Sequence, residues 1–196
     1  MRVISGTARG RRLKAPPGLD TRPITDMIKE ALFNVWGSQV EDARFLDLFA
    51  GSGSVGLEAL SRGAHRVVFV DNSAAAIRII RENLDHCGFR SGFDIMRSDA
   101  FRALKRISSQ AIQFDLIYVD PPFTREDIFE SIMDTVSRAD ILAADGIAII
   151  RSPRKKDMPS FPPLVKYRQG NYGESSLHYY CRCEEEPEDD GDISHS

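Results

Sequence analysis

The sequence predicts an α/β fold: a seven-stranded, mostly parallel sheet that ends in an antiparallel hairpin, preceded by a small N-terminal hairpin/helix extension. Three observations carry that expectation. From Arg44 onward, short apolar runs alternate with amphipathic helical stretches, the pattern of a parallel sheet covered on both faces. A glycine-rich segment sits at the first strand-to-helix turn, where open sheets of this kind receive ligands. The last two extended segments, 164–169 and 176–182, flank Asn171-Tyr172-Gly173 with no helix between them, so they form a hairpin on the sheet edge.

The elements follow in order. Residues 2–5 and 12–15 are extended and pair across a turn at 6–10, after which Pro16-Pro17-Gly18 breaks regular structure. A helix over 26–36 has Thr25 as N-cap, Asp26 at the positive end of its dipole and Gly37 as its stop. Ile28, Leu32 and Val35 fall on one face of it. Strands are expected at 45–49, 67–70, 93–96, 116–119 and 147–150, with helices at 54–61, 73–87, 101–107 and 125–139. Asp145-Gly146 reads as a turn just before the fifth strand. The chain thus divides into a basic extension and helix (1–40), an α/β domain (41–183) and an acidic, disordered tail (184–196).

Composition bounds the class. With 196 residues, 42% hydrophobic and 28% charged, the chain has the proportions of one globular domain with a sizeable core. No apolar run approaches the roughly 18–20 residues of a membrane span, and the first ten residues lack the apolar core of a secretory signal, so a cytoplasmic protein is expected. The three cysteines Cys87, Cys181 and Cys183 are an odd count, which argues against a disulfide framework. Cys181-Arg182-Cys183 has the wrong spacing for a zinc knuckle, and no metal is expected. Residues 184–196 carry seven acids and no Lys or Arg, a tail too polar to bury anything. The rest has 26 basic against 22 acidic residues, and residues 1–19 contain no acid at all. In that arm Arg9, Arg11, Arg12 and Lys14 suit RNA phosphates, while a solvated charged arm is the plainer reading.

Gly51, Gly53 and Gly56 in Phe45-Leu-Asp-Leu-Phe-Ala-Gly-Ser-Gly-Ser-Val-Gly56 fit G-x-G-x-x-G. Glycine lets the backbone turn tightly and leaves room for a ligand to lie on it. The pattern alone is shared by many nucleotide-binding enzymes. Asp71-Asn72 ends the second strand 20 residues after Gly51, where a carboxylate can accept both hydroxyls of a ribose, which also fits NAD. Asp47 separates the cofactors. A carboxylate inside an apolar strand needs a partner; a cationic methionine moiety supplies one, whereas a dinucleotide pyrophosphate is repelled. Asp99 and Ala100 end the third strand. Asp99 suits the amine of an adenine, with the Ala100 N–H facing the ring, and equally suits the N-cap of the next helix; the two roles are compatible.

The apolar run Phe114-Asp-Leu-Ile-Tyr-Val119 ends in Asp120-Pro121-Pro122-Phe123. Two successive prolines fix φ and surrender two N–H groups, leaving the Asp120 and Pro121 carbonyls to point into a cleft. An exocyclic base amine needs two rigid acceptors, because its lone pair is delocalised into the ring and must be turned toward the methyl donor. The Asp120 carboxylate offsets charge growing on nitrogen and can then take the proton. Phe123 is placed to stack on the base. The plainer reading is a strand-ending Asp before a Pro-Pro loop. A base inside a duplex has to flip out to reach such a site, while a loop base costs less to present.

These residues resemble the RsmD family. The resemblance runs from about Arg2 to about Arg182. It rests on Arg2-Val-Ile-Ser-Gly6 with Arg9-Gly-Arg-Arg-Leu13, on Thr21-Arg-Pro-Ile-Thr-Asp26 with Glu30-Ala-Leu-Phe-Asn34, and on Asp47-Leu-Phe-Ala-Gly-Ser-Gly53 with Gly56-Leu-Glu-Ala-Leu-Ser-Arg-Gly63. Asp120-Pro-Pro-Phe123 and Tyr172-Gly173 with 177–180 complete it. The resemblance implies a Rossmann-like class I methyltransferase that moves a methyl from S-adenosyl-L-methionine to N2 of a guanine, guanine 966, in 16S rRNA of the small ribosomal subunit; the chain is expected to act as a monomer. It places the cofactor on Asp47, Phe49, Gly51, Gly53, Asp71, Asn72, Asp99 and Ala100, with Arg22 and Thr25 closing over its methionine carboxylate. It places catalysis on Asp120, Pro121, Pro122 and Phe123. The chain departs from the family pattern at Ile24, where Thr is usual, and at Met27-Ile28-Lys29, where a more basic Arg-Val-Arg is usual.

Other readings stay open. The same Asp-Pro-Pro-Phe motif serves adenine N6, cytosine N4 and glutamine amide methyltransferases, although 196 residues leave little room for a separate target-recognition domain. An NAD-linked oxidoreductase would use the glycine loop and Asp71, yet His65, His86, His178 and His195 form no obvious constellation around a hydride site. An inert RNA-binding module is the third.

Overall fold

The structure is a computed structural model that describes residues 1–16 and 24–182. The expectations placed on Pro17-Gly18, Arg22, Cys183 and the acidic tail lie outside the described residues. The elements run α1 (Asp26–Trp36), β1 (Arg44–Leu48), α2 (Ser54–Ser61), β2 (Arg66–Asp71), α3 (Ala74–Cys87), β3 (Phe93–Arg97), α4 (Ala100–Ser109), β4 (Phe114–Val119), α5 (Ile128–Arg138), β5 (Leu142–Pro153), β6 (Leu164–Tyr172) and β7 (Ser175–Arg182). One 3₁₀ turn, Gly37–Val40, joins α1 to the sheet. Among the described residues no helix is long and apolar enough to cross a membrane.

The sheet has seven strands in the order β3-β2-β1-β4-β5-β7-β6. The first five are parallel, and β7 pairs antiparallel with both β5 and β6, as the hairpin expectation required. From β1 the chain winds outward to β2 and β3, then returns to place β4 on the other side of β1. The crevice at that reversal, above the carboxyl ends of β1 and β4, is where such sheets bind ligands. Two apolar layers cover the faces. One joins Trp36, Phe45, Leu57, Phe69 and Ile80 to Tyr118 and Tyr179; the other joins Leu46, Leu104, Ile117 and Phe129 to Ile150 and Tyr180.

Several boundaries differ from expectation for definable reasons. The fifth strand begins at Leu142, and Asp145-Gly146 lies inside it rather than forming a turn ahead of it. Phe114 pairs with Leu142 while Leu116 pairs with Ile147, so the extra residues bulge out of the ladder. Gly146 fits there because a Cβ would sit 2.7 Å from Leu142 Cδ1 and 3.0 Å from the Asp115 carbonyl oxygen. The N-terminal pairing is a single bridge, Arg2 with Arg12, and its register brings Leu13 N to Met1 O rather than bringing residue 15 to residue 2. On α1 the buried residues are Ile28, Lys29, Leu32, Phe33 and Trp36, whereas Val35 is only half-buried.

The short arm is held less by itself than by α2. The Glu58 carboxylate accepts from Ile4 N at 2.8 Å and Ser5 N at 2.9 Å. Ser61 accepts from Thr7 N and Ala8 N. Gly6 has φ +81°, and a Cβ there would lie 1.7 Å from the Ser61 carbonyl oxygen. Only glycine lets the arm lie this close to the helix end. Val3, Ala8 and Leu13 join the same apolar layer as α1 and β1, so the extension shares the core of the sheet.

Candidate active site

The glycine loop and the Pro-Pro turn open onto one cleft of about 270 Å³. Its walls include Asp47, Phe49 and Gly51 after β1, Asp71 and Asn72 after β2, Asp99 and Ala100 after β3, and Asp120 and Pro122 after β4. The strand order explains the convergence: β1 and β4 are neighbours, so Asp120 N reaches Leu48 O at 3.1 Å. Gly53, Pro121, Phe123 and Thr25 are not among the cleft's lining residues. Thr25 instead caps α1, its hydroxyl accepting from Ile28 N at 3.3 Å.

The three glycines of the loop do different work. Gly51 has φ +57° and nothing closer to a Cβ than the Phe49 carbonyl at 4.0 Å, so it leaves open space beside the cleft. A Cβ on Gly53 would press on Ile80, Leu57 and Phe69, and one on Gly56 would lie 2.3 Å from Phe69 Cε1. Those two glycines let α2 pack against β2. Phe49, a non-glycine residue at φ 62°, completes the turn at a strain cost of about 1–3 kcal/mol. Asp71 fixes the loop: its Oδ2 accepts from Gly51 N at 2.8 Å and its Oδ1 from Ser73 N at 2.9 Å. Each oxygen keeps a further lone pair for a ligand hydroxyl. Asp99 caps α4, accepting from Phe101 N and Arg102 N through Oδ1.

The floor of the cleft is electrostatically unbalanced. Asp47 is 1% exposed, and its Oδ2 accepts from Gly56 N at 3.0 Å. Burial lifts its pKa to about 8; the Gly56 N–H opposes this, while the charges of Asp120 and Asp71 add to it. Burial also raises the pKa of Asp120, against the pull of Arg151 and of a hydrogen bond from Tyr118. Arg151 Nε donates to Asp120 Oδ1 at 2.8 Å, and Tyr118 OH donates to Oδ2 at 3.2 Å. Burial pushes the Tyr118 phenol well above its usual range.

This cleft fits S-adenosyl-L-methionine. Asp120 is matched by Arg151, which leaves Asp47 and Asp71 to favour a cationic ligand. A pyrophosphate placed there would meet the Asp71 carboxylate and could only hold Asp47 in its protonated form, whereas a cation favours its ionisation. Among the described residues Ser54 Oγ, buried at the start of α2, has no hydrogen-bond partner, and α2 has no side-chain cap. A hydroxyl and a helix N-terminus offer donors for a carboxylate end.

Sequence reasoning overlooked Arg151, Tyr118 and Asn83. Arg151 carries the same signal as Asp47, a charged residue inside an apolar strand near its carboxyl end. Asn83, 1% exposed, ties the basic arm to the glycine loop: its amide accepts from Lys14 N at 2.9 Å and donates to Lys14 O at 3.0 Å and Ser52 O at 2.9 Å. Arg9, Arg11, Arg12 and Lys14 are all exposed, and Lys14 Nζ is paired with Glu82 at 2.9 Å. The departures from the family pattern also find places. Ile24 is buried on the cleft wall, Met27 is 58% exposed, and Lys29 is wholly buried against Glu58, so Lys29 presents no charge to solvent.

Strand order and cleft together define a Rossmann-like class I methyltransferase. The chain belongs to the RsmD family: the family model described as Conserved hypothetical protein 95 matches residues 1–181. YlbH of Bacillus subtilis, which bears a provisional rRNA methyltransferase name, is 38% identical over 181 residues, covering 92% of this chain and 98% of that one. Ribosomal RNA small subunit methyltransferase D of Escherichia coli is 31% identical over 194 residues, 98% of this chain and 94% of its own. The solved structure of yhhF from Escherichia coli, 31% identical, superposes with a TM-score of 0.79 over 93% of this chain and 97% of that one.

Proposed function

We propose that the protein transfers the methyl group of S-adenosyl-L-methionine to the exocyclic N2 amine of a guanine in 16S rRNA of the small ribosomal subunit, guanine 966 by the family resemblance. One observation carries the reading: the glycine loop and the Asp120-Pro-Pro turn face a single cleft, with the buried Asp47 side chain at its floor. The cofactor supplies an electrophilic methyl on a sulfonium centre.

The chain's residues do the rest. Asp47 holds the cationic methionine end, Asp71 the ribose, and Asp99 with Ala100 the adenine. Asp120 and a main-chain carbonyl of the Pro-Pro turn accept the two amine hydrogens, which turns the nitrogen lone pair toward the methyl; orientation of this kind supplies much of the rate. The Asp120 carboxylate offsets the charge that builds on nitrogen and accepts the proton released as the N–C bond forms. Its upward-shifted pKa makes it a better acceptor than an ordinary carboxylate. Arg9, Arg11 and Arg12 extend the RNA contact beyond the base.

Replacing Asp120 by Ala tests the assignment. The variant should still bind rRNA and, at saturating cofactor, lose methyl transfer by at least about a hundredfold. Activity retained within tenfold would remove Asp120 from the chemistry.

A further inference from the structure

Asp120 and Phe123 belong to one turn, yet a side chain from another strand holds them both. Arg151, near the carboxyl end of β5, has a side chain only 5% exposed. Its Nε donates to Asp120 Oδ1 at 2.8 Å while its guanidinium carbon stands 5.2 Å from the centre of the Phe123 ring. Tyr118 fixes the other carboxylate oxygen, and Phe129 meets the Phe123 ring edge-on at 5.9 Å. The carboxylate and the ring are therefore locked relative to each other through one guanidinium.

We infer that Arg151 is a positioning residue for methyl transfer, holding the Asp120 carboxylate and the Phe123 ring as one rigid unit. The inference rests on the reading of Asp120 given above. A planar guanidinium can hydrogen-bond in its plane while its face covers a ring; an ammonium is a point charge and cannot do both.

Charge gives Arg151 a second effect on the same carboxylate. The groups facing Asp120 are Tyr118 on its own strand, Arg151 on β5 and Asp47 on β1, with Asp71 beyond β1 and Arg125 on the loop after the Pro-Pro pair. Burial favours a protonated Asp120, and Arg151 with the Tyr118 hydrogen bond opposes it. Arg125 is exposed and paired with Asp127 at 3.4 Å, so among the described residues Arg151 is the buried cation that pulls the Asp120 pKa down against burial. Without it the carboxylate stays protonated to higher pH and accepts fewer hydrogen bonds.

The experiment measures kcat against pH for the full chain, with saturating cofactor and unmodified small subunits, in the unaltered protein, Arg151→Met and Arg151→Lys. Carbon-13 NMR of labelled aspartate follows the Asp120 carboxyl in the same proteins. In Arg151→Met, kcat at neutral pH should fall at least about tenfold, with the acid limb and the Asp120 titration both moving up by about one pH unit or more. KM for the cofactor should change less than about threefold, because Asp47 and Asp71 are untouched. Arg151→Lys should restore the acid limb but not the full rate, since the charge returns without the planar fork. An acid limb in Arg151→Met that coincides with that of the unaltered protein would overturn the inference, as would a full rate in Arg151→Lys. If Arg151→Met does not fold, the lysine variant decides alone, by reduced rate with an unmoved limb against full rate. An unaltered protein that transfers no methyl defeats the functional reading itself; normal transfer with an insensitive Arg151 defeats only this inference.

Discussion

Lys29 Nζ lies 3.2 Å from Glu58 Oε2, and neither side chain has any exposed surface. Lys29 also donates to the Arg2 carbonyl, while Glu58 gathers Ile4 N, Ser5 N and Arg62 Nε. One buried pair thus joins α1, α2 and the N-terminal arm. Removing one partner of such a pair leaves a desolvated charge and costs about 3–5 kcal/mol. Glu58 keeps three donors here, so the lower end applies. Lys29→Met should lower the melting temperature by roughly 10 °C, and hydrogen exchange should quicken first at the amides of Ile4 and Ser5. An unchanged melting temperature would show that the pair does not hold the arm.

Asp47 gives the cofactor-free protein a pH signature. Its folded pKa of about 8 lies above its ordinary value of 3.8, so between those values the folded state binds a proton that the unfolded state does not. Its contribution to stability is therefore present below about pH 4 and is lost as pH rises through 8. Asp47→Asn should raise the melting temperature at pH 8 and above, and leave it nearly unchanged at pH 4. A cationic ligand reverses the preference. Cofactor affinity should climb as pH rises from 6 toward 8, by up to about tenfold per unit, and level off beyond; Asp47→Asn should bind weakly with no such slope. Calorimetric titration across pH 6–9 checks both, and a flat affinity profile in the unaltered protein would release Asp47 from the cofactor.

The basic arm makes a separable contribution. Arg9, Arg11 and Arg12 are exposed and stand apart from the cleft wall. Replacing all three by Ala should weaken rRNA binding, reduce the slope of log affinity against log salt by about 2–3, and leave cofactor affinity unchanged. Filter binding over a salt series reads this directly. An unaltered slope would make the arm a solvated extension.

The parts of the fold legible in the sequence were those set by local chemistry. Thr25 and Gly37 bound α1, because caps and periodicity are written in neighbouring residues. The convergence of Gly51 and Asp120 followed from strand alternation, since both end parallel strands. What stayed hidden depends on distant partners. Asp145-Gly146 has the composition of a turn but becomes a bulge because β4 lies beside it. Lys29 looks like a surface lysine until Glu58 is placed opposite. Arg151 and Asp120 are 31 residues apart, and only the pairing of β4 with β5 brings them together. Asn83 lies on a helix face that only the arm and the glycine loop make meaningful.

The most direct test incubates small ribosomal subunits lacking the modification with purified protein and S-adenosyl-L-methionine carrying a labelled methyl, then maps the label in the rRNA. The account predicts one labelled nucleotide, a guanine methylated at N2, with Asp120→Ala giving none. Label on an adenine or cytosine amine, or on ribosomal protein, or no label from a protein that binds NAD instead, would contradict it.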